Sequence, residues 1–507
     1  MTLGPNAPTP AIAITGGAAS ATAHLDAPRV AVPDAVLDQL RSACSTVSVD
    51  PTETAEASRD WWPLAMTWAL EGEVAQRAAV VASPTTVDQV SAVVAICNAE
   101  SIPLTVAAGR SGVCGNSIPL HGGVVLDLCG LNGILDVDDH SLVVTVAAGT
   151  FGDHFEANLR SGYGLTVGHW PQSMALSTVG GWAACRGAGQ YSTRYGKIED
   201  IVVGLEVVLA DGTVITTGGQ PRQAVGPDLN QIFVGSEGTL GVITAVQLRA
   251  HPQPDHEARA SYGFSSFSDG LDACRRILRR GATPAVLRLY DAIESERSFH
   301  SGDVTCALIV LDEGDELLVD ATMAVVRQEC VDAEEQDIEW VQHWMERRND
   351  VSQLETLISG GLVVDTMEIT GPWSRLDAIY DAATTAIRGV EGTLAASAHQ
   401  SHAYGDGACL YFTFAGRPTT EVSGPAAVAA KEAYYREVWD AGTRAVLTNG
   451  GALSHHHGVG LNRSRFVAEA LGGGFGVLAA TKAALDPKGI LNPGKLGLDD
   501  PFGPAAF

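Results

Sequence analysis

From Ala78 onward the chain alternates short apolar runs with amphipathic stretches. Ala79-Val-Val-Ala-Ser-Pro84 is a β-rich run, and 86–99 carries apolar residues at helical spacing, with Thr86 or Asp88 placed to cap it. Ile102-Pro-Leu-Thr-Val-Ala107 predicts a second strand and is followed at once by a glycine-rich loop. Strand, helix, strand and loop in that order predict an α/β unit with a ligand loop at the C-terminal end of a strand. Short strands are predicted at 124–128, 134–137 and 142–147. Residues 204–216 read as a hairpin whose Asp211-Gly212 turn supplies the positive φ that such a turn needs. Residues 242–249 alternate toward a closing strand, and His251-Pro-Gln-Pro254 marks a domain boundary. Upstream, 32–70 reads as helical and ends on Arg59-Asp-Trp-Trp-Pro-Leu64. Downstream, 306–311 and 409–414 predict strands of an antiparallel sheet, and 421–445 a long helix.

Three glycine-rich loops stand before the boundary. In Ala107-Ala-Gly-Arg-Ser-Gly-Val113 successive backbone N–H groups can converge on an anion, typically a pyrophosphate; alone, the loop is equally an ordinary turn. Ser177-Thr-Val-Gly-Gly-Trp182 follows Pro171-Gln-Ser173, and Gly235-Ser-Glu-Gly-Thr-Leu-Gly-Val-Ile-Thr244 is the third. Together they favour a long extended cofactor over three unrelated turns. Gly474-Phe-Gly-Val-Leu-Ala479 matches the dinucleotide pattern by letters. It follows a helix-like segment rather than a strand, and no acidic residue stands at the required distance, so it is rejected. Leu453-Ser-His-His-His-Gly-Val-Gly460 gathers three imidazoles. Imidazoles titrate near neutrality, and clustering keeps some of them neutral, as a proton acceptor or a metal ligand must be.

A length of 507 residues implies two or three domains, and 46% hydrophobic against 18% charged residues implies a globular chain. Acids outnumber bases 59 to 32, for a net charge of −27 with no basic run, which argues against nucleic acid and anionic lipid as partners. No stretch is long and apolar enough for a membrane span. The first 28 residues have no basic start and no apolar core, so a mobile arm is expected there rather than a secretion signal. Nine cysteines, never spaced as C-x-x-C, fit a reducing cytoplasm, most of them as small buried residues.

The three loops in their order resemble the FAD-binding domain (PCMH type) of the vanillyl-alcohol oxidase superfamily. The resemblance implies non-covalent FAD held by Ala108, Gly109, Arg110, Ser111, Gly112 and Val113, by Pro171, Gln172, Ser173, Ser177, Thr178, Gly180 and Gly181, and by Glu237, Gly238, Gly241, Val242 and Ile243. Some relatives attach FAD through a histidine of the first loop; Arg110 stands there instead. The implied fold is α+β: an FAD-binding domain of two α/β subdomains (76–252) plus a cap domain with an antiparallel sheet flanked by helices (253–452). A mobile arm (1–30), a helical segment (31–75) and a last segment returning to the flavin (453–507) complete it.

Within that superfamily the triple histidine looks like that of alkylglycerone-phosphate synthases. Arg59–Leu64, Ser111–Gly115, Gly189–Glu199, Pro284–Leu289 and Ser401–Gly416 support the match. In the synthases the tyrosine of the Cys409-Leu-Tyr-Phe strand transfers the proton, which implies Tyr411 as catalytic, with His455, His456, His457 and Arg288. A tyrosine of ordinary pKa, about 10, acts as a base at neutral pH only if a cation lowers that pKa, a part open to Arg288. The plain alternative for Tyr411 is a core aromatic on a strand. D-2-hydroxyacid dehydrogenases of the superfamily hold a metal; here Tyr411 and His456 replace two of their ligands, so no metal is expected. The synthases also grip the substrate phosphate with an arginine, and Leu354 stands at that place, with Arg347 and Arg348 nearby.

The expected function is an FAD-dependent oxidoreductase that oxidises a small alcohol, hydroxy acid or amine by hydride transfer to flavin N5. The alternative is a synthase-type transferase that exchanges an acyl for an alkoxy group through a flavin N5 adduct. The expected partners are a small-molecule substrate and, at most, a second copy in a homodimer; no nucleic acid and no integral membrane segment enter.

Overall fold

The structure, a computed structural model, describes residues 10, 12–302, 305–419, 424–504 and 507. Two main sheets build the N-terminal half. In the first, Val80–Ser83, Val124–Asp127 and Leu104–Ala107 run parallel, and Thr46–Ser48 closes one edge antiparallel. Helix Val87–Glu100 makes the crossover, with Thr86 Oγ1 accepting the N–H of Gln89; Asp88 falls inside the first turn. The second sheet is antiparallel throughout, in the order Val214–Gly218, Val202–Val208, Val242–Arg249, Val143–Ala147, Ile134–Asp138. The hairpin turn at Gly212 has the positive φ, 88°, that its position demands.

The segment ahead of these sheets differs from expectation. Residues 1–9 and 11 lie outside the described residues, but from Ile12 on the arm is packed. Ile12 and Ile14 are buried against Trp61 and Met66, and Thr22–Ala23 pairs with Glu73–Val74. Ile12 and Ile14, with Ala21 and Leu25 further on, anchor this run of Ala, Thr and Pro. Residues 31–75 form three helices rather than a continuous run, Asp34–Ala43, Pro51–Glu56 and Pro63–Ala69. Pro51 and Pro63 each start a helix, where a missing N–H costs nothing.

The third sheet has seven antiparallel strands, in the order Glu334–Gln336, His256–Phe264, Cys306–Gly314, Val286–Tyr290, Thr393–Ala403, Gly407–Gly416, Val363–Pro372. Along Cys306–Gly314, Leu308 and Val310 face helices Phe267–Arg279 and Glu316–Glu329, while Ala307, Ile309 and Leu311 face the core of the five-stranded subdomain. The sheet is buried on both sides. Helices Leu376–Gly389 and Pro425–Thr448 extend the outer layer. The expected start of that last helix, at 421, lies outside the described residues. Beyond it the chain crosses back: Ala452 bonds to Thr370 of the cap sheet, and Leu491 bridges to Leu104 at the free edge of the parallel sheet. No helix of the described residues is long and apolar enough to cross a membrane.

Candidate active site

The first two glycine loops press against each other. A Cβ on Gly109 would lie 2.1 Å from the carbonyl oxygen of Leu176, and one on Gly180 would lie 2.5 Å from Cβ of Ala148, so only glycine permits these approaches. Ser177 Oγ donates to Ser173 O and accepts from Trp182 Nε1, which fixes the second loop. Thr178 Oγ1, Ser236 Oγ and Asn492 Oδ1 are buried without a hydrogen-bond partner among the described residues. Each such group costs about 1–3 kcal/mol, which a polar ligand would relieve. The loops therefore fit FAD. Some residues implied to touch it are engaged elsewhere. The Glu237 carboxylate accepts the N–H groups of Val459 (2.5 Å) and Gly460 (2.9 Å), the Arg110 guanidinium pairs with Asp127 (3.0 Å), and Val242 and Ile243 lie in strand Val242–Arg249, buried in two different apolar clusters.

The cap sheet supplies one row of side chains. Tyr290, His399, Tyr411 and Glu368 are successive cross-strand partners on four neighbouring strands, so all four face the same side. A bulge between Gln400 and His402 shifts the parity by one, and His402, opposite Cys409, joins that face. The histidine segment meets this row. Glu368 Oε1 accepts the backbone N–H groups of His455, His456 and His457 at 2.8–3.1 Å, together with Ser454 Oγ. Its other oxygen pairs with buried Arg463 and lies 3.1 Å from His457 Nδ1.

Hydrogen bonds link the imidazoles. His456 Nδ1 lies 2.9 Å from His455 Nδ1, His455 Nε2 lies 3.0 Å from Tyr404 OH, and Ser192 Oγ bridges Tyr404 OH (3.0 Å) and His402 Nδ1 (2.8 Å). Burial above all pushes His402, His455 and His456 well below the usual imidazole range, so they are neutral at neutral pH. Tyr411 departs from expectation. Burial, then Glu368 and Asp365, push its hydroxyl up, and these outweigh Thr366 and Arg288. Arg288 Nη2 donates instead to His399 Nε2. Tyr411 is a hydroxyl here, not a phenolate. It accepts from Thr366 Oγ1 at 3.0 Å, which leaves its own proton free to donate.

The neutral imidazoles also bear on metal binding. His402, His455 and His456 each offer a ring nitrogen within 4.8 Å of the others, a set able to hold a metal ion. Sequence alone placed His402 only at the histidine retained from the metal-using relatives' motif and not among the acid–base residues, because the bulge that turns it toward His455 and His456 has no signature in composition. Glu368 was missed for a related reason, as its partners come from a segment ninety or so positions away. Leu354 packs beside an apolar cluster also flanked by Val113 and Leu176. Arg348 is enclosed by the rings of Trp170, Tyr191 and Trp344 and donates to Gln190, and Arg347 is exposed.

Loops fitted to a flavin dinucleotide, beneath a sheet that carries buried acid–base side chains, define a flavin-dependent enzyme. Residues 78–218 match the family described as FAD binding domain, and 253–496 match that described as FAD linked oxidases, C-terminal domain. The chain belongs to the FAD-linked oxidoreductases. It is 32% identical over 431 residues to the uncharacterized FAD-linked oxidoreductase YgcU of Escherichia coli O157:H7, covering 81% of this chain and 87% of that one. It is 28% identical to the alkyldihydroxyacetonephosphate synthase of Dictyostelium discoideum, covering 84% and 74%. Among solved structures, an alkyldihydroxyacetonephosphate synthase superposes with a TM-score of 0.75 at 23% identity, covering 97% and 90%. A p-cresol methylhydroxylase superposes at 0.73 with 19% identity, covering 93% and 99%.

Proposed function

We propose that the chain oxidises a small alcohol, hydroxy acid or amine in an FAD-dependent reaction, with the cap sheet and the histidine segment providing the acid–base groups. The observation that carries this reading is the hydrogen-bonded set His456, His455, Tyr404, Ser192 and His402, neutral and beside a protonated Tyr411. FAD, when bound, supplies the acceptor for two electrons. His456 takes the proton of the substrate hydroxyl or amine and shares it along the set. Tyr411 donates its hydrogen bond to the substrate heteroatom and fixes its orientation. The transferase alternative needs a phosphate grip, and the apolar setting of Leu354 gives it less support.

The test is anaerobic mixing of the purified flavoprotein with candidate alcohols, hydroxy acids and amines. Bleaching of the visible flavin band is the expected result, and failure of every class to bleach it would sink the oxidoreductase reading. The three-histidine set is proposed to do acid–base work rather than hold a metal. Dialysis against a strong chelator should leave the bleaching rate unchanged, and a stoichiometric metal whose removal abolishes it would reassign the set.

FAD is proposed to be non-covalent. Arg110 is tied to Asp127, and burial pushes the Cys114 thiol far above its ordinary range, so neither offers a nucleophile to the flavin. Acid precipitation should release all flavin to the supernatant; flavin retained in the pellet would refute this. All nine cysteines are free, which supports a reducing compartment, the cytoplasm.

A further inference from the structure

Several enclosed cations in this chain face carboxylates: Arg463 faces Glu368 and Lys482 faces Asp486. Arg288 does not. Among the described residues no carboxylate lies within ion-pair distance of it, and its Nε is buried without a hydrogen-bond partner. Its Nη2 donates to His399 Nε2 at 2.5 Å, and its Cζ lies 5.3 Å from the centre of the Tyr290 ring. An arginine nitrogen can only donate, so His399 Nε2 carries no proton. The proton is on Nδ1, which donates to Glu294 Oε2 at 2.6 Å. Glu294 is held in turn by Ser397 Oγ (2.9 Å) and Arg297 (3.2 Å). The carboxylate thus sets the tautomer of the ring, and the ring sets the direction of the guanidinium. His399 stacks on Tyr411 at 4.9 Å, so this chain ends beside the group that orients the substrate heteroatom. Arg288 is half-buried with its Nε enclosed, so the lack of a counter-charge is costly there, and its planar N–H groups match a carboxylate.

We propose that Glu294 and His399 are positioning residues that hold Arg288 as a subsite for a carboxylate of the substrate. This rests on the oxidoreductase reading and narrows its substrates to hydroxy or amino acids. The Nε–H, and the terminal N–H groups engaged by neither His399 nor Tyr290, are the donors offered to that anion.

The test is calorimetric titration of the holoenzyme with oxalate, a carboxylate that offers no hydrogen on carbon to be removed. Saturable binding is expected in the wild type. Arg288→Lys and His399→Leu should weaken it by about tenfold or more, the loss of one charge-assisted hydrogen bond. His399→Gln, whose Oε1 can still accept from Arg288, should stay within about threefold of wild type. No oxalate binding by the wild type overturns the proposal, as does a flavin-replete His399→Leu with unchanged affinity. Should His399→Leu fail to hold flavin, Glu294→Gln decides, and unchanged affinity there overturns it. Flavin bleaching by a neutral alcohol without oxalate binding refutes the subsite and leaves the oxidoreductase. Arg288-dependent oxalate binding in an enzyme that no substrate bleaches does the reverse.

Discussion

Tyr411→Phe is expected to lower turnover by about 10²–10³, the cost of removing one preorganised hydrogen-bond donor at a reacting centre, while leaving folding and flavin content intact. The change removes one hydroxyl and almost no volume from a buried ring. That ring is braced by His399 on one side and by the His457 ring, 5.5 Å away, on another. The structural loss is one hydrogen bond, from Thr366, worth about 0.5–1.5 kcal/mol. The functional loss is larger, because the hydroxyl is the free donor beside neutral imidazoles and no other row member can replace it. If Tyr411 were only a core aromatic, the variant would turn over at the wild-type rate. Stopped-flow measurement of flavin reduction separates the two outcomes, since slow product release would mask a slowed reduction step in steady-state rates. A variant with unchanged flavin spectrum and unchanged reduction rate defeats the assignment.

Glu368→Ala should have the largest effect on stability, about 3–5 kcal/mol, with loss of most activity. The substitution strips buried Arg463 of its counter-charge and leaves three backbone N–H groups and the Ser454 hydroxyl unsatisfied. Against a total stability of about 5–15 kcal/mol, that is a large share. Burial alone would raise the Glu368 carboxyl, but Arg463 and then His457 outweigh it and hold it well below its ordinary value. Its folded pKa is therefore below the unfolded one. The stabilisation is present above the unfolded pKa and is lost as pH falls through the folded one. Denaturant unfolding at neutral and acid pH checks both points: the gap between wild type and variant should narrow as the pH drops. A variant as stable as wild type at neutral pH would remove Glu368 from the centre of the site.

The glycine loops, the strand–helix–strand opening and the change of sheet after Pro252 were legible because each carries a local signature in the sequence. Gly109 and Gly180 stand in glycine-rich strings that show in the sequence although their close partners, Leu176 and Ala148, lie far along the chain, and the Asp211-Gly212 turn announces itself. The arm failed to read as packed because its anchors, Ile12 and Ile14, are few and their partners lie fifty residues on. The histidine triplet was visible, but what makes it a site was not. Its clasp by Glu368, the arrival of His402 through a bulge, and the tie of Arg288 to His399 rather than Tyr411 all depend on strand register across a seven-stranded sheet. Register is a property of pairing, and no single strand carries it. The direction of the shift at Tyr411 was misjudged on the same ground: Arg288 was credited as a neighbour, while the burial and the carboxylates on adjoining strands were out of view.

The segment 453–460 is gripped from two sides, by Glu368 of the cap sheet at its histidines and by Glu237 of the third glycine loop at Val459 and Gly460. The two halves of the molecule thus share a rivet, and it passes through the proposed reactive centre. A cap fastened in this way cannot swing open like a jaw without pulling the imidazoles from their seats. Any motion that parted the domains would first have to break the bonds that Glu368 and Glu237 make to this segment and so displace its imidazoles.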